Sequence, residues 1–181
     1  DGKADILRYW ETYANNVLYL SSGTSPNLLA SVANGLGGTT AVSYTPSSAW
    51  ANTNNPPIVQ TVTAVTAADG RGGSATTRYS YSGGLFDAVS RQFLGFRYSK
   101  GTLPCLSGEA ACPYQETWWK QDYGSVSKPE TSYGKRGDGV LFTASIHGYT
   151  TNGATVPYTS LETTGWEYVY DTAGQWRRTA V

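Results

Sequence analysis

A glycine-rich turn occurs twice in the first half of the chain, and it restricts the fold to short antiparallel hairpins. Asn34-Gly35-Leu36-Gly37-Gly38 precedes Tyr44, and Asp69-Gly70-Arg71-Gly72-Gly73 precedes Tyr79, at the same spacing. Glycine, Asn and Asp accept the positive φ angles that tight hairpin turns require. A weaker third copy is Asp138-Gly139, which leads to Tyr149. We therefore expect hairpin units that stack into sheets, since one hairpin cannot bury its own faces.

The segments on either side of these turns alternate between apolar and polar residues, as strands do. No segment of ten or more residues shows a convincing helical period, and the best helical candidate is a single turn near Asp87 to Arg91. The predicted fold is all-β, with stacked antiparallel hairpins in a twisted sheet assembly. The predicted strands are Ala4 to Tyr9, Asn16 to Leu20, Leu28 to Ala33, Thr39 to Thr45, Ile58 to Ala67, Ser74 to Tyr81, Gln92 to Lys100, Gln115 to Asp122, Leu141 to Thr150 and Trp166 to Asp171.

Composition supports this fold class and excludes several functions. The 181 residues include 14 Tyr, 6 Trp and 21 Gly, and aromatic residues favour strands. Lys plus Arg and Asp plus Glu number 13 each, so the chain lacks the basic surface of a nucleic-acid-binding protein. No apolar stretch is long enough to span a membrane. The length fits one domain or an elongated repeat array, and the start at Asp1 without Met suggests a segment of a longer protein.

The two cysteines, Cys105 and Cys112, lie in a loop-like stretch that contains two prolines and a glycine. Their close spacing permits a small disulfide-closed loop, and two free thiols are the alternative. A metal site is not expected, because two sulfurs and the single, distant His147 do not supply four ligands at a recognisable spacing.

The sequence offers no convincing catalytic site, so we expect a protein that is not an enzyme and needs no cofactor. A glycosidase needs two facing carboxylates, and a Ser-His-Asp triad would have to use His147, which lies in a strand-like run. No acidic residue belongs to a motif that predicts such a pair, and exposed surface acids explain them better. The acids considered are Asp87, Glu116, Asp122, Glu130, Glu162 and Glu167.

A binding function rests on the aromatic residues. Trp118, Trp119 and Tyr123 are a candidate platform on which sugar rings could stack. If this segment is a strand, Trp118 and Trp119 point to opposite faces of the sheet. Packing of the aromatic rings against neighbouring strands is the alternative, and the sequence favours it.

Ordered motifs in the middle of the chain resemble a known family. Tyr170-Asp171-x-x-Gly174 resembles the YD repeat of Rhs-type proteins. The two glycine turns, then Tyr79-Ser80-Tyr81-Ser82-Gly83-Gly84, then Arg91-Gln92-Phe93-Leu94-Gly95-Phe96 resemble the middle region of the B component of insecticidal toxin complexes and of plasmid virulence protein B. Thr117-Trp118-Trp119-Lys120-Gln121-Asp122-Tyr123-Gly124 also fits, and the resemblance covers roughly residues 27 to 150.

Asp1-Gly2-Lys3-Ala4-Asp5-Ile6 is similar to the end of an FG-GAP/VCBS calcium loop. Asp1 and Asp5 offer too few oxygens for Ca²⁺, so no metal is expected. The resemblance divides the chain into a remnant of an FG-GAP-like blade or linker at 1–26, a toxin-complex-B-middle-like β domain at 27–165 and the start of a YD repeat at 166–181.

The resemblance implies a non-catalytic structural module of a secreted bacterial protein, which helps to build or connect a β shell around a toxic cargo. It implies as partners the rest of the shell, an FG-GAP propeller and other toxin-complex subunits. Self-association through exposed edge strands is a further expectation. The alternative function is a carbohydrate- or surface-binding β module of an adhesin-like protein.

Overall fold

The structure is a computed structural model and describes residues 5–9, 16–22, 25, 27–54 and 57–180. The fold is all-β, which confirms the predicted class, and the only helical element in these ranges is one 3-10 turn at Ser47–Ala49. The strands are β1 Ile6–Arg8, β2 Val17–Tyr19, β3 Ser31–Ala33, β4 Thr39–Pro46, β5 Asn52–Asn54, β6 Gln60–Ala68, β7 Ser74–Asp87, β8 Gln92–Thr102, β9 Tyr114–Trp119, β10 Pro129–Lys135, β11 Leu141–Asn152, β12 Thr159–Tyr170 and β13 Trp176–Ala180.

Eleven of the described strands form one twisted sheet, and ten of them follow each other across the sheet in the order of the chain. The order is β13-β12-β11-β10-β9-β8-β7-β6-β4-β3, and every pair along this path is antiparallel. The short strand β5 pairs with β7 in parallel. The strands β1 and β2 form a separate two-stranded hairpin. The sheet is therefore an extended meander, with β3 and β13 at its two edges.

Some of the register shifts in the sheet lie at or next to glycines. The pairing of β7 with β8 shifts between Gly84 and Phe86, and the pairing of β11 with β12 shifts between Gly148 and Tyr149. Gly83 and Gly95, which lie close to the first shift, have φ angles of +68° and +82°. Bulges of this kind increase the local twist of a sheet.

Very little of this sheet is buried. Among the described residues, the buried apolar side chains are Ala64, Leu94 and Ala144. The hydroxyl residues Ser47, Thr61, Thr117 and Ser125 are buried as well. Most strand residues remain half-exposed, because no second layer of the described chain covers either face of the sheet. The large core of a typical globular domain of this length is thus missing from the described part of the chain.

The structure differs from the sequence prediction at one turn and three strands, of which the short β5 at Asn52–Asn54 was not predicted. The helical turn near Asp87 to Arg91 is wrong: these residues make the hairpin turn between β7 and β8, because the Asp87 carboxylate accepts the N–H of Ser90 at 2.8 Å and Arg91 takes φ +55°. The strand β10 was not predicted, since it begins at Pro129 and is largely polar. The strand β13 was not predicted either, and it pairs with β12 through Trp176 to Ala180.

The structure describes only some of the residues on which the N-terminal prediction rests. The strands β1 and β2 lie inside the two predicted strands, and Ile6 pairs with Tyr19. Asp1 and Ala4 lie outside the described residues. Asp5 accepts the backbone N–H of Ser21 at 2.8 Å, which fixes this carboxylate to the hairpin. The boundary predicted between 165 and 166 falls inside strand β12.

Candidate functional site: the turn edge and aromatic faces of the sheet

Five hairpins place their turns along one edge of the sheet, which we call the turn edge. In each, the N–H of the first turn residue donates to the carbonyl of the last: Asn34 to Gly38, Asp69 to Gly73, Leu103 to Pro113, Arg136 to Val140 and Asp171 to Gln175, at 2.8 to 3.0 Å. The turns begin at residues 34, 69, 103, 136 and 171, so successive turns lie 33 to 35 residues apart. The repeating unit of the sheet is thus one hairpin together with the connection to the next hairpin.

In three of these turns the side chain of the first residue makes the same pair of hydrogen bonds to the backbone. The Oδ1 atom of Asn34 accepts the N–H groups of the third and fifth turn residues, both at 2.9 Å. Asp69 and Asp171 make the same pair of bonds at 2.8 and 2.9 Å. The side chain thereby satisfies two backbone donors inside the turn. The Tyr170-Asp171-x-x-Gly174 unit is therefore the same structural turn as the two glycine-rich copies.

The weaker copy at Asp138 is offset by two positions. The turn begins at Arg136, and Asp138 bonds the N–H of Val140 at 3.1 Å. Gly139 then occupies the fourth turn position with φ +88°. The same position holds a glycine of positive φ in the three other five-residue turns, at Gly37, Gly72 and Gly174. The fourth position is therefore the one that requires glycine in all four.

The cysteine loop is the third turn of the series. It runs from Leu103 to Pro113 and is closed by the same backbone bond, but it is six residues longer than the others. A disulfide joins Cys105 to Cys112 inside it. The loop folds against the next turn, where a Cβ added to Gly137 would lie closer than 3.0 Å to the carbonyl of Ala111. A cleft of about 410 Å³ lies between the two turns.

The aromatic candidates Trp118 and Trp119 lie on opposite faces. Trp118 packs edge-on between Tyr98 at 5.0 Å and Tyr133 at 5.6 Å, measured between ring centroids. Trp119 instead donates its indole N–H to Ser99 Oγ at 2.9 Å. Both rings are half-buried. Trp118 is thus part of a ladder across β8, β9 and β10, which we call the aromatic ladder.

On the other face, Trp119 lines a shallow apolar cleft of about 240 Å³ with Tyr81 and Phe96. Tyr81 contacts both Phe96, at 5.1 Å, and Trp50, at 5.7 Å. Burial raises the pKa of the Tyr81 hydroxyl, with the nearby Tyr79 adding to the effect. This hydroxyl donates to the carbonyl of Val62 at 3.0 Å.

The third aromatic candidate, Tyr123, lies apart from both tryptophans, in the loop after β9. Its hydroxyl donates to the Asp87 carboxylate, and its ring stacks on Tyr158 at 5.3 Å. The Asp87 pKa is lowered to about 2 by hydrogen bonds from Ser90 and from Tyr123. Tyr123 therefore ties the β7–β8 hairpin to the β11–β12 connection, at the end of the sheet opposite the turn edge.

Ion pairs cross the strands on both faces. Glu116 binds Lys135 at 2.7 Å and accepts the Tyr98 hydroxyl at 2.7 Å. Burial opposes ionisation of Glu116, but the bonds from Lys135 and Tyr98 outweigh it and lower its pKa. Glu130 binds Lys120 at 2.7 Å and also Arg97. Bonds from Lys120 and then Arg97 lower the pKa of Glu130.

The remaining candidate acids and His147 make local contacts. His147 Nδ1 lies 2.7 Å from Glu162 Oε1, on neighbouring strands of the sheet. Asp122 accepts the hydroxyl of Ser125 at 2.7 Å, and Glu167 is exposed on β12. Within the described ranges, no group of three or more His, Cys, Asp or Glu residues is placed to hold a metal ion. In the same part of the chain, no helix has the length and hydropathy of a membrane span.

The comparison with family profiles decides the family. The profile described as the insecticide toxin TcdB middle/N-terminal region matches residues 1–123, which is most of the chain. The chain belongs to this family. The match begins and ends earlier than the 27 to 150 stretch that carried the sequence resemblance. Among curated proteins, none matches the chain significantly.

Solved structures of toxin-complex proteins share the fold. The crystal structure of TcdB2-TccC3 without the hypervariable C-terminal region has a TM-score of 0.65 at 13% identity over 84% of this chain. TcdB2-TccC3-TEV gives 0.66 at 14% identity over 84%. The Photorhabdus luminescens Tc holotoxin pore with the TccC3 D651A mutation gives 0.60 at 14% identity over 80%. The aligned part spans 11%, 11% and 10% of those chains. Together with the family match, this makes the chain a structural module of a toxin-complex protein.

Proposed function

We propose that this chain is a non-catalytic segment of the β shell that encloses a toxic cargo in a secreted, bacterial toxin-complex-like protein. The observation that carries the proposal is that the sheet has a single layer. Among the described residues, only three apolar side chains are buried. A single-layer sheet of this kind does not form a hydrophobic core of its own. It gains its cover from the sheets beside it and from what it encloses.

The repeat supports this role. Turns that recur every 33 to 35 residues add one hairpin after another to the same sheet. Such an arrangement extends without a natural limit, because each hairpin contacts only its neighbours. Among the described strands, the edge strands β3 and β13 each have one partner, so both edges offer backbone groups for further pairing.

We also propose that the N-terminal segment, 1–26, connects the shell to an FG-GAP-like propeller. The separate β1–β2 hairpin supports a different environment for this segment from that of the main sheet. Residues 166–181 would begin the YD repeats, and the Asp171 turn supports this, since it has the bonds of the Asn34 and Asp69 turns. The proposed partners are the remaining shell, the propeller and other toxin-complex subunits, with no nucleic acid and no cofactor.

A structure of a toxin-complex B component that carries this chain, solved with its cargo-bearing partner, tests the proposal. We expect the main sheet to lie in the shell wall, with β3 and β13 each paired to a strand from elsewhere in the assembly. A sheet that projects from the outside of the shell, with both edges unpaired, would contradict the proposal.

A separate experiment tests the alternative function, a carbohydrate-binding module. Intrinsic tryptophan fluorescence, with iodide quenching, is measured against a glycan panel. If no glycan shifts or protects the emission, the structural role stands. Protection of the emission by one sugar, lost in Trp118→Ala or Trp119→Ala, would support the binding module instead.

A further inference from the structure

The cysteine loop differs from its four counterparts in one respect that the shell role does not require. In the other turns the closing backbone hydrogen bond joins the ends of a five-residue segment. In this turn the equivalent bond joins the ends of a segment that is six residues longer. Its extra length is held in place by the Cys105–Cys112 disulfide, which spans a separation of 7 residues. The loop takes no part in the pairing of strands. Thr102 and Tyr114, which flank it, are the last pair of β8 and β9.

The disulfide-closed loop lies on the next turn of the edge. The backbone of Ala111 occupies the space beside Gly137, so closely that a Cβ on Gly137 would collide with it. Glu109, Ala110, Ala111 and Pro113 form one wall of the cleft between the turns, and Arg136, Gly137 and Asp138 form the other. The loop thus covers one side of the β10–β11 turn.

Apart from the disulfide, the closing backbone bond and the packing of Ala111 on Gly137, the hydrogen bonds given for the loop are local. Inside it, Glu109 binds the N–H of Leu106 at 2.8 Å and donates its own N–H to the Leu106 carbonyl at 3.2 Å. Leu106 is 73% exposed and therefore contributes little packing. Cys105 is exposed and Cys112 is half-buried, so the bridge is open to a thiol in solution.

We propose that the Cys105–Cys112 disulfide is a redox-sensitive strap, and that its reduction releases the loop from the β10–β11 turn while the sheet stays folded. A thiolate of a dithiol reductant attacks the Cys105 sulfur, forms a mixed disulfide and releases the Cys112 thiolate. The second thiol of the reductant then displaces Cys105. Two electrons and two protons end on the two cysteines, and the reductant becomes a cyclic disulfide.

The switch would operate when the protein passes from an oxidising to a thiol-rich compartment. In the oxidised state the loop is closed and the Gly137 side of the neighbouring turn is covered. In the reduced state the 11-residue turn from 103 to 113 keeps its closing backbone bond, but its central residues are free to leave the cleft. The turn edge then presents the Arg136 to Asp138 turn.

Hydrogen exchange under native conditions, with and without dithiothreitol, tests this strap. We expect the two hydrogen-bonded amides of the loop, those of Leu106 and Glu109, to exchange about 10- to 100-fold faster on reduction, given the loop-closure entropy that such a bridge removes. Amides of the 136–140 turn should lose protection with them. Amides of the 171–175 turn, at the far end of the same edge, should not change.

A double variant, Cys105→Ser with Cys112→Ser, supplies the matched control. It should show the fast exchange with and without the reductant, and the same strand protection as the parent chain. Two results would overturn the proposal: a bridge that dithiothreitol reduces only after denaturant is added, or a reduced protein whose Leu106 and Glu109 amides exchange as slowly as in the oxidised one.

Discussion

The backbones of Gly37 and Gly70 lie against each other where the first two turns of the edge meet. A Cβ on Gly70 would lie closer than 3.0 Å to the carbonyl carbon and oxygen of Gly37, and Gly70 also has φ +73°. Gly35, which holds the equivalent position in the first turn, has φ +75° but no atom within 4 Å of its would-be Cβ. Neighbouring repeats thus meet through a contact that only glycine permits.

This pair gives a matched test of the repeat contact. Gly35→Ala should cost about 1 kcal/mol of unfolding free energy, because only the positive φ is strained. Gly70→Ala should cost about 3 kcal/mol, because the methyl group also forces the two turns apart. Urea unfolding of the two variants measures the difference. Equal costs would show that the turns are not in contact in solution.

The aromatic ladder should contribute more stability than the aromatic residue at the sheet edge. Trp118 packs between Tyr98 and Tyr133 in the middle of the sheet, whereas Trp176 on β13 is 58% exposed. We expect Trp118→Ala to lower the free energy of unfolding by about 2 kcal/mol and Trp176→Ala by less than about 1 kcal/mol. Urea unfolding followed by far-UV circular dichroism measures both, and a reversed order would argue against the ladder.

Glu130, a carboxylate with two cationic partners, makes stability depend on pH. The pKa of Glu130 is lowered by Lys120 and Arg97, so the folded state binds its proton less tightly than the unfolded state does. The stabilisation is therefore complete above the usual pKa of 4.5 and is lost as pH falls through the lowered value. Glu130→Gln should cost about 1 kcal/mol at neutral pH.

The difference between Glu130→Gln and the parent chain should shrink as the pH is lowered below 4.5, where the carboxyl group begins to take up its proton in the unfolded parent chain but not yet in the folded one. Glu167→Gln, a change at an exposed acid, is the control and should leave stability nearly unchanged at every pH. Thermal unfolding between pH 7 and pH 3 gives both curves, with the limits chosen to bracket the usual Glu range. A constant gap would mean that Glu130 is not paired.

The Tyr123 hydroxyl has a specific effect on Asp87. Tyr123→Phe removes a hydrogen bond that helps to hold the Asp87 pKa at about 2, so this pKa should rise toward its usual 3.8. Tyr158→Phe keeps the ring that stacks on Tyr123 and should leave the Asp87 pKa where it is. Carboxyl carbon NMR titration of Asp87 measures each value. An unchanged pKa in Tyr123→Phe would place the tyrosine away from the carboxylate.

The turns and the fold class were readable from the sequence because Asn34, Asp69 and their glycines carry strong local signals. The cysteine loop was not recognised as the third turn, since its six additional residues hide the pattern. The other turns begin at residues 34, 69, 136 and 171, and the gap from 69 to 136 is about twice the 35 residues that separate the rest, which was the signal that could have placed a turn between them. Contacts such as Arg97 with Glu130 are 33 residues apart and depend on register, which local patterns do not specify.

The edge strand β13 should drive self-association of the isolated chain, because one of its sides has no partner among the described strands. Alternate residues of an antiparallel strand direct their N–H groups to opposite sides, and the bond from Asp171 to Gln175 sets this alternation so that the Arg178 N–H faces away from β12. Arg178→Pro removes that donor and should reduce dimer formation. Arg178→Ala is the matched control, since it also loses the contact of the guanidinium with the Trp166 ring, 4.1 Å away, but keeps the N–H. Light scattering over a concentration series measures the mass; a clean monomer of the parent chain at high concentration would contradict pairing through this edge.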